Sequence, residues 1–293
     1  MVASSDIVGT LAPGVAAELG LAPETPVCAG GVDCGVAHFG MGIFEEGRFA
    51  AAIGTSMCAA FVHAEPIPAK ELIAWPYVYR PEKLDYSFGG GATAGAVIKW
   101  FRDTFGEAEK AVESSGGPGA YFLLDKEAET IEPGAEGLVV LPYFMGERSP
   151  LWDTNAKGVI YGLSLVHTKA HIYRAFLEAV AYSLRHTIEA AGADLGDTIL
   201  LAGGVSRSRL WRQIFADVTG YNVVCPLHDV EANLGDVMLA GLGTGLLAIE
   251  DIKKWNVLDE KIAPIAENHR RYNHSYGLYR QIYQDLKGTM ASF

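Results

Sequence analysis

Three times along this chain an apolar run meets a cluster of small residues: "GTS" at Gly54 to Ser56, "FGGGATAG" at Phe88 to Gly95, and "AGGVSRS" at Ala202 to Ser208. Short apolar runs bounded by Gly or Pro read as buried strands, so each cluster marks a strand end. Strand ends of this kind leave backbone N–H groups free, and a helix starting there presents the positive end of its dipole. A fourth strand end, in "AGGVDCGVAHFG", carries a single acid, Asp33, among small neighbours. One glycine turn arises wherever φ must be positive. Three of them with a lone acid point to a nucleotide site.

The rest of the chain supports an α/β layout. Its 293 residues, 49% of them apolar, can bury one large core or two modest ones. Residues 1–25 read as the remnant of an interdomain linker around the helix-like "APGVAAELG", and residues 26–293 as one domain. "PVCAGGV" reads as a buried strand, followed by an antiparallel meander through "GIFEEGRFAAAIGTSMCAAFV". A helix after the second glycine cluster places Ala96, Val97, Trp100 and Phe101 on one face. The clearest helix spans Thr168 to Ala191, with Thr168 as N-cap. Then come strand, turn and amphipathic helix in "TILLAGGVSRSRLWRQIFADVTG", and a strand in "YNVVCP". "LGDVMLAGLGTGLLAI" reads as a largely buried helix, and a polar, Tyr-rich helix closes the chain. Meander first and αβ units later imply a mixed sheet flanked by helices.

Several chemistries are excluded by their missing parts. A formal net charge of -12 with scattered Lys and Arg argues against a nucleic-acid or anionic-membrane partner. With no leader and no spanning apolar run, the default location is the cytoplasm. Cys28, Cys34, Cys58 and Cys225 lack CxxC spacing and read as reduced core thiols. "GGGATA" fits a loose dinucleotide fingerprint, but no acid follows about twenty residues later. No Walker-type P-loop is present. "GVSRS" lacks the last glycine of a nucleophile elbow, which weakens a hydrolase reading through Ser206. His167 and His171 flank the proposed cap without an H-E-x-x-H motif, so they read as surface histidines and no metal ligand is assigned. "WFRD" reads as helix with an adjacent Arg102, Asp103 charge pair.

Five segments in order, "AGGVDCGVAHFG", "AAIGTSM", "AGAVIKWFRD", "LPYFMGERSPLWDTNAKGVIYGLSLVHTKAHIYRAFLEAVAY" and "LLAGGVSRSRLWRQIFADVTGYNVV", closed by "EANLGDVMLAGLGTG", resemble the carboxy-terminal half of FGGY carbohydrate kinases. That family holds xylulokinases, ribulokinases, gluconokinases and glycerol kinases. The fourth segment follows the family's second signature through Gly158, Ile160, Gly162, Leu163, His171, Ile172, Ala175 and Glu178, with Phe176 bulkier than the usual residue. The resemblance implies an actin-like, ribonuclease-H-like fold with ATP between two domains. It implies Asp33 as the general base acting on a sugar hydroxyl. Gly54 and Thr55 would meet the ATP phosphates, and Gly95, Lys99, Gly203, Gly204 and Ser208 would line the adenosine and phosphate pocket. The family also places glutamine or arginine where Lys99 stands, and asparagine where Ser208 stands.

The family's amino-terminal half, which supplies a phosphate turn, an acid for Mg²⁺ and most sugar contacts, has no counterpart in this sequence. The expectation is ATP-dependent phosphorylation of a pentulose, gluconate or similar polyol, with this chain inactive alone. The chain reads as an expressed fragment, or as the product of a split or truncated gene that needs the amino-terminal domain in cis or in trans. The exposed interdomain face could make the isolated domain a homo-oligomer. "LPYFMGERSPLWD" leans toward xylulokinases and gluconokinases, and "GTSMC" toward ribulokinases. The alternative from another class is a non-catalytic actin-like nucleotide-binding or regulatory module.

Overall fold

The computed structural model describes residues 2–65, 70–192, 195–228 and 232–292. In chain order the elements are β1 (Ile7–Thr10), α1 (Pro13–Leu19), β2 (Pro26–Cys28), α2 (Asp33–Gly40), β3 (Phe49–Ile53), β4 (Met57–His63), β5 (Ile73–Pro76), β6 (Asp85–Gly89), α3 (Gly95–Phe105), α4 (Glu107–Ser114) and α5 (Ala120–Ala128). They continue with β7 (Val139–Leu141), β8 (Val159–Tyr161), α6 (Lys169–Ala191), β9 (Thr198–Gly203), α7 (Arg209–Thr219), β10 (Asn222–Val224), α8 (Ala232–Gly243), α9 (Ile249–Lys253) and α10 (Ala266–Met290). Glu231 of the closing motif, and the terminal Met1 and Phe293, lie outside the described residues.

The central sheet has the order β10-β9-β3-β4-β6-β5. β10, β9 and β3 run parallel, whereas β3, β4, β6 and β5 pair antiparallel. The sheet is therefore mixed, as the element order implies. Helices cover both faces, which is why "FAAAI" and "TILLAG" are nearly continuous apolar runs. Alternate side chains serve different layers. Phe49, Ala51, Ile53, Ile199 and Leu201 join the core built with α3, α6, α7 and α10, and Ala50, Leu200 and Ala202 join the one built with α2, α8 and α9. Among the described residues no helix is long and apolar enough to cross a membrane.

The long helix begins where the sequence places it. Thr168 caps α6 in a capping box, its N–H donating to His171 Nδ1 at 3.1 Å. That contact corrects the reading of His171 as a surface histidine, since the cap draws the ring down to 7% exposure. Further along α6, Glu178 is fully buried and accepts from Arg174 Nε (2.8 Å), the Tyr272 hydroxyl (2.9 Å) and the Gly134 N–H (3.0 Å).

Other expectations need revision. β2 is exposed and pairs with β1 in a separate two-stranded sheet, so it is neither a buried strand nor part of the meander. The same pairing puts a strand at residues 7–10, inside the stretch read as linker. A three-residue run between Pro and Gly is too short for pattern to decide which sheet it joins. On α3 the buried residues are Val97, Ile98 and Phe101, and Trp100 turns outward at 39% exposure. α8 buries Gly235, Met238, Leu239 and Gly241 but exposes Val237, because it packs mainly on α2. α10 is polar only on one side: Tyr272, Tyr276, Tyr279 and Tyr283 recur at helical spacing and are buried. Their hydroxyls remain partnered, as in Tyr143 to Tyr279 at 2.6 Å and Tyr283 to Asp153 at 2.8 Å.

Candidate functional site

β3 and β9 end side by side, with Ile53 opposite Gly203, so the turns that follow them meet at one end of the sheet. The start of α3 joins them. Gly203 has φ +88°, and a Cβ there would overlap the Ile53 carbonyl; a Cβ on Gly95 would overlap the Gly54 carbonyl. Glycine at these two positions is what lets the turns close on one another.

Between the turns opens a cavity of about 840 Å³, a volume typical of small-molecule sites. Gly54, Thr55, Gly95, Lys99, Gly204 and Ser208 line it, together with a wall that includes Trp100, Tyr121, Phe122, Tyr173 and Trp211. Gly203 and Asp33 are not among its lining residues. A second cavity, about 260 Å³, near Met41, Arg48 and Asn256 contains none of the expected residues.

The three glycine turns are not equivalent. The cluster before α3 uses several of its amides inside the protein: Gly90 N–H donates to Ser149 Oγ (2.8 Å), Ala92 N–H to Glu147 Oε1 (2.6 Å), and Gly95 N–H to the Gly54 carbonyl (2.8 Å). These bonds clamp it to the neighbouring turn, while its Gly91 and Thr93 N–H groups donate to none of the described residues. In the turn after β3 the Gly54 N–H is used internally, but the Thr55 and Ser56 N–H groups donate to none of the described residues. Ser208 caps α7 by accepting the Trp211 N–H (3.0 Å), and the first turn of that helix borders the cavity through Arg209 and Leu210. Donors of these two kinds suit an anion. Lys99 Nζ lies 2.6 Å from Asp103, and Lys99 and Arg102 together hold that carboxyl down at about 2.

Asp33 is the first residue of α2, with Val32 at the cap position, so the residue is helical rather than the N-cap. It is exposed, and its Oδ1 accepts the Cys34 N–H at 2.7 Å. Its negative charge reaches the thiols of Cys34 and Cys58 and helps push both up, after burial as the main cause. Cys58 follows the turn after β3 by two residues. All four cysteines are free; Cys28, Cys34 and Cys58 are half-buried and Cys225 is buried.

Sequence reasoning missed Glu147 and Arg148, although "GERSP" lay inside a quoted segment. Three polar residues in succession after the apolar "LPYF" were the available signal. The Arg148 guanidinium donates to the Gly91 carbonyl (3.0 Å) and draws the Cys58 thiol down, opposing Asp33. Glu147 accepts the Ala92 and Arg148 N–H groups (2.6 and 2.8 Å).

Burial raises the Glu147 carboxyl to about 7 from an ordinary 4.5. The native state therefore favours the protonated acid. Its contribution is complete below the unfolded value near 4.5 and is lost as pH rises through about 7. Unfolding free energy should fall across that window by on the order of 3 kcal/mol from this group, and Glu147→Gln should remove the slope. Denaturant titrations on either side of the window check this, and an unchanged slope in the variant would contradict it.

The family described as "FGGY family of carbohydrate kinases, C-terminal domain" matches residues 49–244. Gluconokinase of Bacillus subtilis is 30% identical over 93% of this chain and 54% of its own length. Xylulose kinase of the same organism is 31% identical over 100% of this chain and 58% of its own. Among solved structures, xylulose kinase from Rhodospirillum rubrum superposes with a TM-score of 0.86 at 27% identity, over 99% of this chain and 57% of that one. The chain thus spans a little over half the length of these relatives.

Proposed function

Because this chain belongs to the FGGY family of carbohydrate kinases, with the family's actin-like fold, we propose that its cavity takes ATP and that the γ-phosphoryl group passes to a hydroxyl of a small sugar or polyol. The observation that carries this reading is the convergence of Gly54, Thr55, Gly95, Lys99, Gly204 and Ser208 on one cavity of nucleotide size. Phosphates would meet the Thr55 and Ser56 amides on one side and the first turn of α7 on the other. The small residues around Asp33 leave room for the acceptor, whose hydroxyl proton Asp33 takes as general base. Phosphoryl transfer asks chiefly for positioning and charge stabilisation, which backbone donors and one carboxylate can supply.

Pentuloses and gluconate are the acceptor class, in line with the relatives' names, and the reaction belongs in the cytoplasm. Among the described residues no three His, Cys, Asp or Glu side chains gather to hold a metal ion. Nucleotide-bound Mg²⁺ needs only the phosphates, waters and one or two carboxylates, which the amino-terminal domain would mainly supply, and no step here runs through it. The amino-terminal domain supplies most of the sugar contacts, so the isolated chain binds nucleotide weakly and turns over nothing. A coupled ADP-release assay against pentuloses, gluconate and glycerol checks this. Robust turnover by this chain alone would overturn its reading as half of the catalytic unit.

A further inference from the structure

Of the carboxylates that line the cavity, Asp103 is paired with Lys99 and Glu129 with Lys126. Asp125, on α5, also lines the cavity but makes no ion pair with a described residue. Its carboxylate is held in place instead. The Tyr173 hydroxyl donates to Oδ1 at 3.0 Å, and the Ser208 hydroxyl, which accepts the Trp211 N–H, is near enough to draw the Asp125 pKa down against the burial that raises it. An ionised carboxylate offers about four acceptor sites, so lone pairs remain free for a ligand. One turn earlier on α5, Tyr121 and Phe122 expose their rings on the same wall.

A carboxylate repels phosphate, so within a nucleotide it must face the sugar or the base. Ser208 stands at the helix end that suits the phosphates, and Asp125 neighbours it on the same cavity wall. The part of a nucleotide bonded directly to its phosphates is the ribose. We propose that Asp125 accepts hydrogen bonds from the ribose 2′ and 3′ hydroxyls of the bound nucleotide, with the Tyr121 and Phe122 rings against the base. The proposal rests on the cavity being the ATP site.

Trp100 and Trp211 line the cavity, so intrinsic fluorescence reports binding to this chain without any turnover. Charge-assisted hydrogen bonds of this kind make ATP bind at least about tenfold tighter than 2′,3′-dideoxy-ATP. In Asp125→Asn, which can still accept from Tyr173, ATP affinity falls to the dideoxy level while dideoxy-ATP binds as before. Equal wild-type affinity for the two nucleotides overturns the proposal, as does discrimination that survives in the variant. A wild type that rejects inosine triphosphate yet accepts dideoxy-ATP overturns it too, because the carboxylate then reads the base amine. Binding of no nucleotide at millimolar concentration refutes the cavity assignment, and this inference with it. The wild-type comparison needs no variant, so a misfolded Asp125→Asn does not remove the test.

Discussion

Asp33→Ala, in a two-domain protein carrying this chain, is expected to lower kcat for sugar phosphorylation by about a hundredfold to ten-thousandfold, the usual contribution of a general base. ATP affinity should stay close to wild type, because Asp33 is not among the residues lining the cavity. Asp33→Asn should behave alike, since the amide keeps the size and the bond to the Cys34 N–H but cannot take a proton. The fold should tolerate both. Asp33 is exposed at the first position of α2, where its structural contribution is a favourable interaction with the helix dipole of about 0.3–1 kcal/mol. Steady-state kinetics with ATP and acceptor varied separately distinguish the outcomes. Loss confined to the KM for ATP would make Asp33 a nucleotide contact, and an unchanged kcat would favour the non-catalytic module.

The second large effect is on stability. Glu178→Ala is expected to cost about 3–5 kcal/mol, because it strands the buried Arg174 guanidinium without its carboxylate. Three donors converge on Glu178 Oε1, from Arg174, Tyr272 and Gly134. The Tyr272 hydroxyl would also lose its acceptor. Burial raises the Glu178 pKa and the Arg174 charge opposes that rise. Replacing both partners with apolar residues of similar volume, as in Arg174→Met with Glu178→Leu, should recover most of the loss. Chemical denaturation of the single and double variants measures this. A single variant destabilised by less than about 1 kcal/mol would show that the pair does not pin α6 to α10.

Glu178 also shows why family signatures mix two kinds of residue. It lies in the same signature as His171, and both are buried positions that shape α6: one caps its first turn, the other ties it to α10. Neither lines the cavity. The small lining residues Gly54, Thr55, Gly95 and Gly204 come instead from the short turn motifs, where backbone geometry limits side-chain choice. Gly95 and Gly203 must be glycine for steric reasons that a string of small residues already suggests.

The sequence was most legible where its pattern was long. The 23 residues of α6, its Thr168 cap, and the strand, turn and helix around β9 and α7 were all readable from periodicity and capping. It was least legible where an element was short or its environment two-sided. The three residues of β2 could not announce their partner, and the tyrosines of α10 read as polar because a hydroxyl hides how apolar a buried ring is. Arg148 was hidden for a different reason. Nothing local distinguishes an arginine on the surface from one that reaches across to the Gly91 carbonyl of a distant strand end.

Residue identity alone was enough for the α/β class, the mixed sheet and the short turns where a ligand can approach backbone, because each follows from local conformational preference, while the family followed from the resemblance of whole segments. Tertiary structure alone could decide that amides of the glycine cluster before α3 are already taken, two of them by Glu147 and Ser149 more than fifty residues away. It also decided that Asp33 is not among the residues lining the cavity and that Asp125 is. Those are facts about which polar groups have already found partners, and in a folded chain the partners come mostly from far along the sequence.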